Sequence, residues 1–164
     1  MDGLGWVGAC WRRWLATPGL TTSAAQDRDE RARLELTRIE ARKGEAPVLL
    51  GNGNLVDGGD VPGTDRHFAV WHDPHPKPSY LFAMVAGDLA HVADTFVTSS
   101  GRKVALKIYV EHGREDRCAW AMDSLKRSLK WDEEVFNCEY DLEVFNIVAV
   151  SDFNMGAMEN KGLN

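Results

Sequence analysis

Apolar positions along the chain follow two different periods. Up to about Val110 they alternate with polar residues or form short runs closed by turn residues, which predicts β structure. Between Arg31 and Ala41, Leu34, Leu36 and Ile39 stand among charged neighbours and predict a one-sided strand with a slip near Arg38; a short helix is the rival reading. Pro47 to Leu50 reads as a short apolar strand closed by Gly51-Asn52-Gly53-Asn54, because Asn-Gly tolerates the positive φ of tight turns. A turn-rich stretch from Asp57 to Gly63 precedes an alternating strand, His67 to Trp71, so antiparallel pairing is expected.

Asp73-Pro74-His75-Pro76-Lys77-Pro78 places proline at every second position and predicts an extended connector, followed by a buried strand from Tyr80 to Ala86 that Gly87-Asp88 ends. Strands Asp94 to Thr98 and Lys103 to Val110 flank Ser99-Ser100-Gly101-Arg102 as a hairpin. The period then changes. From Arg114, Cys118, Met122, Leu125 and Leu129 recur at three- and four-residue spacing, with Lys126, Arg127 and Lys130 opposite, predicting an amphipathic helix to about Phe136. Leu142 to Val150 is β-branched and apolar, a strand buried on much of both faces, and it delivers the chain to a polar loop. Several strands followed by one βαβ-like unit give a mixed α+β fold, mostly β.

Composition narrows the functional classes. Nineteen Lys and Arg against twenty-five Asp and Glu, a net charge of −6, leave no basic footprint for nucleic acid. No apolar run approaches the ~20 residues of a membrane-spanning helix, so no membrane role is expected. Cys10, Cys118 and Cys138 form no CxxC pair and are odd in number, which fits a reducing, cytoplasmic setting. At the N-terminus the apolar stretch Gly3 to Trp11 precedes Arg12-Arg13, the reverse of a signal peptide's order, and residues 1–26 are left unassigned.

The loop Ser151 to Lys161 holds the candidate chemistry. On its residues alone this stretch also reads as a solvated turn holding Gly156 and Glu159; the sharper reading is that a fixed carboxylate distinguishes a free N-terminal ammonium from an internal amide, with Glu159 the candidate. Gly156 and Ala157 keep the backbone edge narrow enough for an extended peptide to bond to it, and Asn160 is placed to bond substrate or loop. Gly156-Ala157-Met158-Glu159-Asn160 is the signature of the zinc aminopeptidases related to aminopeptidase N, and the chain resembles their bacterial alanyl members from about Leu49 to Asn164. That stretch includes Lys77-Pro78-Ser79-Tyr80-Leu81-Phe82-Ala83 and the segments from Ser124-Leu125-Lys126 to Trp131-Asp132-Glu133-Glu134.

The resemblance implies that Glu159 binds the substrate's N-terminal amine and that Met155 shapes the pocket for the first substrate side chain, with alanine-like or basic residues accepted there. It also implies a zinc ion in the complete enzyme, held by His-Glu-x-x-His and a further Glu and activating water. None of His67, His72, His75, His91 and His112 opens that motif, so the ligands are expected beyond Asn164, with no zinc bound and no hydrolysis by this chain alone. His67, His72 and His75 are irregularly spaced around Pro74 and Pro76, a poor metal site. Cys118 reads as a helix-core thiol, Cys138 as a loop-side thiol, and Asp132-Glu133-Glu134 as a solvated helix face.

By the same resemblance, 27–88 supplies closing strands of an N-terminal β-sandwich domain and 89–164 the start of a thermolysin-like catalytic domain, both incomplete, in an enzyme that acts on peptide N-termini as a monomer. The competing readings are a noncatalytic module that grips peptide termini and a product without activity. An incomplete sandwich leaves edges and apolar faces uncovered, so the isolated chain is expected to be poorly soluble or only partly ordered. A cooperative thermal melt of the isolated, monomeric chain would contradict this.

Overall fold

The computed structural model describes residues 21–24, 36–75, 77, 79–151 and 160–164. Nine strands and one helix occur among them: β1 (Thr21–Ala24), β2 (Leu36–Arg42), β3 (Val48–Gly51), β4 (Asn54–Asp60), β5 (Arg66–His72), β6 (Met84–Gly87), β7 (Ala90–Val97), β8 (Lys103–Val110), α1 (Ala119–Phe136) and β9 (Val144–Ala149). Strands β1-β2-β5-β4 form an antiparallel sheet, β3 and β6 an antiparallel pair, and β7-β8-β9 a third sheet in which β8 and β9 run parallel. The fold is therefore mostly β, with one helix serving as the β8–β9 crossover.

The third sheet is covered on both faces, as a parallel pair requires. On one face Val104, Leu106, Ile108 and Ile147 pack against Met122, Leu125 and Leu129 of α1. On the other, Tyr109 and Val148 join the core built around Ile39, Leu49, Leu50, Trp71 and Val85. The helical period is borne out: all four residues that defined it, Cys118 included, are buried, and α1 ends at Phe136, where Asn137 takes φ 50°. The β7–β8 hairpin also stands, with β7 starting four residues earlier than the apolar pattern indicated.

Three expectations are corrected. In β2 the buried residues are Thr37, Ile39 and Ala41, one unbroken alternation, while Leu36 is 54% exposed. No slip exists at Arg38; its guanidinium lies over the Phe68 ring and meets Glu40 on the outer face. The supposed turn at Asp57-Gly58-Gly59-Asp60 is instead strand β4, paired with β5 through a bulge between Leu55 and Asp57. Glycines are tolerated there because β4 is an edge strand, and a Cβ on Gly58 would approach the Phe68 carbonyl to 3.2 Å. Finally, the strand expected from Tyr80 shrinks to β6. Ser79–Leu81 is a 3-10 turn with Tyr80 64% exposed. Asn52 explains this: its side-chain amide donates to the Leu81 carbonyl at 3.4 Å and its oxygen accepts the Ala83 amide at 2.7 Å, satisfying backbone groups that a strand partner would otherwise hold.

The connector after β5 folds onto one buried carboxylate. Asp73 accepts the His75 amide at 3.0 Å and the Lys77 ammonium, and burial pushes the Lys77 pKa down to about 8. Glu133, expected in solvent, accepts the Ser99 amide at 3.1 Å, while Glu139 accepts the Ser100 hydroxyl at 2.6 Å, so two acids tie the β7–β8 turn to the end of α1.

Replacing Asn52 by Ala leaves the buried Ala83 amide without its acceptor, a loss of ~1–3 kcal/mol, so that amide should exchange with solvent about 5- to 150-fold faster. Unchanged exchange at Ala83 in the variant would contradict the role given to Asn52.

Candidate functional site

After β9 the chain leaves the third sheet and returns to it. Residues 162–164 lie alongside β9 in parallel: the Asn146 amide donates to the Gly162 carbonyl at 3.0 Å, the Asn164 amide to the Asn146 carbonyl at 2.9 Å, and the Val148 amide to the Asn164 carbonyl at 2.8 Å. The loop that carries the motif is thus a crossover between β9 and a return leg beside it. Met155, Gly156, Ala157, Met158 and Glu159 lie outside the described residues; Asn160, the last residue of the motif, is described and only 2% exposed.

Both ends of the crossover are fixed by carboxylates. At the outgoing end Ser151 donates its amide, at 3.2 Å, and its hydroxyl to Oε1 of Glu111, the residue that follows β8, and Arg114 binds the other Glu111 oxygen at 2.9 Å. At the return end Lys161 donates to Asp141 Oδ2 at 2.6 Å. Gly162 follows at φ +84°, a left-handed conformation in which a Cβ would lie 2.9 Å from Leu142 Cδ1. Leu163 is buried in the core around Ile39 and Trp71, so the return leg is anchored by backbone, side chain and packing together.

Each acid's titration reflects its partners. Hydrogen bonds from the Ser151 hydroxyl, then its amide, hold the Glu111 pKa below the ordinary value, with the Arg114 charge adding to them. Burial works against the Asp141 carboxylate, but the Lys161 hydrogen bond and charge outweigh it, and its pKa also lies below the ordinary value. Sequence reasoning passed over both acids, since a single acid forty residues before Ser151, or twenty before Lys161, carries no local signal. Among the described residues, the carboxamides of buried Asn146 and Asn160 have no hydrogen-bond partner.

The remaining candidates are dispersed. His67 Nε2 meets the Ala46 carbonyl at 2.7 Å, His91 stacks on Tyr109, and His112 pairs with Asp88 at 2.8 Å. Among the described residues no three His, Cys, Asp or Glu side chains gather as a metal-holding group. Cys118 is buried, which raises its thiol pKa, and Cys138 is exposed beyond α1; Cys10 lies outside the described residues. A cleft of about 380 Å³ opens between β3 and the third sheet, beside Trp71, Tyr109 and Asn146; Asn160, the described residue of the motif, does not line it.

Comparison with known proteins gives these features a family. The model of the peptidase family M1 domain matches residues 120–164, from α1 through the motif to the return leg. Aminopeptidase N of Caulobacter vibrioides is 64% identical over 127 residues, covering 77% of this chain and 14% of that protein. Aminopeptidase N of Escherichia coli is 59% identical over 128 residues, 78% of this chain and 15% of that protein. The crystal structure of Legionella pneumophila aminopeptidase A in complex with aspartic acid superposes with a TM-score of 0.73 at 32% identity, over 89% of this chain and 19% of that one. The stretch from α1 through β9 to the return leg, residues 120–164, is thus similar to part of the M1 peptidase domain. More narrowly, the chain is a homologue of aminopeptidase N, and it spans about 15% of the length of the curated relatives it matches.

The depressed Glu111 pKa has a direct consequence. A carboxylate with a lowered folded-state pKa stabilises the outgoing stem above its ordinary value, 4.5, and the contribution is lost as pH falls through the lowered value. The Ser151 amide resonance should therefore shift in acid, below the ordinary carboxylate range, and Glu111→Gln should abolish that shift. A Ser151 signal flat from about pH 6 to about pH 2 would contradict the contact.

Proposed function

We propose that this chain supplies the substrate-amine wall of a zinc aminopeptidase that removes N-terminal residues from peptides. The similarity to aminopeptidase N, 64% identity over 127 residues, carries the reading, together with the M1 domain match to residues 120–164. In it, Glu159 binds the free N-terminal ammonium by a charge-assisted hydrogen bond that an internal amide cannot reproduce. Gly156, Ala157 and Met158 leave a backbone edge for an extended peptide, Asn160 supports that edge, and Met155 borders the first side-chain pocket.

Holding the ammonium fixes the distance from the peptide terminus to the reacting bond, so only the first bond is presented for cleavage. The family's zinc supplies the Lewis acid and the activated water. The described residues do not fit that ion: His67 and His112 face separate partners, and no cluster of ligands forms among them. The chemistry assigned to this chain is therefore substrate positioning, and by itself it is proposed to bind a peptide terminus without hydrolysing it.

The domain reading is proposed in the same terms: residues 27–88 as closing strands of a β-sandwich domain and 89–164 as the beginning of the peptidase domain, with 1–26 assigned to neither. The core against α1 draws its buried residues only from Val104 onward, and the M1 match lies wholly within 89–164; both support it, although the other core joins residues 39–89 to Tyr109, Val148 and Leu163. A monomeric, cytoplasmic enzyme is proposed on the family resemblance and the cysteine usage.

In an enzyme completed with the metal-bearing part, Glu159→Ala should reduce kcat/KM for free-amine substrates by ~2–4 kcal/mol of transition-state stabilisation, a desolvated charged hydrogen bond being lost. An unchanged kcat/KM would remove Glu159 from this role.

A further inference from the structure

The cleft between β3 and the third sheet sets a polar row against an apolar wall. Lys107 of β8 and Asn146 of β9 are direct partners in the parallel pair, on strands ~4.8 Å apart, and both line the cleft. Leu50 and Trp71 face them from the other core, the Tyr109 ring continues the apolar surface, and Glu143 adds a carboxylate to the lining. The volume, about 380 Å³, falls within the ~300–1,000 Å³ of small-molecule sites.

Asn146 is only 1% exposed, and among the described residues neither its Nδ2 nor its Oδ1 has a hydrogen-bond partner. A buried carboxamide left in that state is destabilising, and it calls for a partner that both accepts and donates. Among the described residues the side chains of Lys107 and Glu143 have no ion-pair partner, so the lining also offers one charge of each sign. Water satisfies the carboxamide but leaves the apolar wall wetted and both charges unmatched.

An α-amino acid carries the complementary groups on one carbon. Its carboxylate accepts from Asn146 Nδ2 and the Lys107 ammonium, and its ammonium donates to Asn146 Oδ1 and Glu143. An apolar side chain then covers Leu50, Trp71 and Tyr109. We propose that this cleft binds a free amino acid with an apolar side chain. The assignment is independent of the amine-binding reading of Glu159, since no residue it uses belongs to the motif.

The test is an NMR titration of the 164-residue chain with leucine, read at the Asn146 side-chain amide and at the backbone amides of Lys107 and Tyr109. The controls are isocaproate, which lacks the ammonium, isoamylamine, which lacks the carboxylate, and glycine, which lacks the apolar side chain. Leucine should shift all three signals and bind about tenfold or more tightly than each control. Lys107→Met, at a half-buried position, should weaken leucine and isocaproate about fivefold or more and leave isoamylamine unchanged. Asn146→Leu, close to isosteric, should weaken leucine about tenfold; if that variant loses the fold, Lys107→Met still decides the matter. Leucine that leaves the Asn146 side-chain amide unmoved, as a cleft holding water alone would, overturns the proposal. So does isocaproate or glycine binding as tightly as leucine, or an unchanged leucine affinity in either folded variant.

Discussion

Asn146 uses both of its backbone groups on the return leg, donating to Gly162 at 3.0 Å and accepting from Asn164 at 2.9 Å, while β9 pairs on its other side with β8. The rest of the structure depends on that ladder. A buried strand must satisfy every amide and carbonyl, and β9 does so only because the chain comes back beside it. The same pairing places the two ends of the motif crossover on one sheet. That sheet is rigid for an ordinary reason: α1 covers one face and the core containing Trp71 and Val85 covers the other.

Acids then refine what the ladder fixes. Glu111 takes two bonds from Ser151, Asp141 takes the Lys161 ammonium, and Glu133 and Glu139 hold the β7–β8 turn against the end of α1. Most of these groups are accessible to solvent, so they contribute modestly to stability. Their importance is geometric. Each replaces a loosely hydrated main-chain or side-chain donor with a defined partner, at positions where the sheet ends and loops begin.

The sequence made some of this legible and hid the rest for identifiable reasons. Cys118, Met122, Leu125 and Leu129 announced α1 because helix periodicity is carried by large side chains on one buried face. Strand β8 was equally plain. Strand β4 was missed because Asp57-Gly58-Gly59-Asp60 has turn chemistry, and only its pairing with β5 reveals an edge strand with a bulge. The face of β2 was misjudged because Leu36, a large apolar residue, points outward while Thr37 is buried. The strand before β6 was overextended because nothing local shows that Asn52, some thirty residues earlier, serves the backbone at Leu81 and Ala83. The motif and its family were legible from residue identity alone. Glu111 and Asp141 were not, since their meaning comes entirely from long-range contacts.

The most direct measurement is amide hydrogen exchange at Asn146, Val148 and Asn164, resolved residue by residue in the 164-residue chain. A return leg paired with β9 protects all three, since each amide donates within the ladder, and protection should persist alongside that of β8. If Asn146 and Asn164 exchange as freely as a solvated turn while β8 remains protected, the crossover is not anchored on the sheet and the account fails.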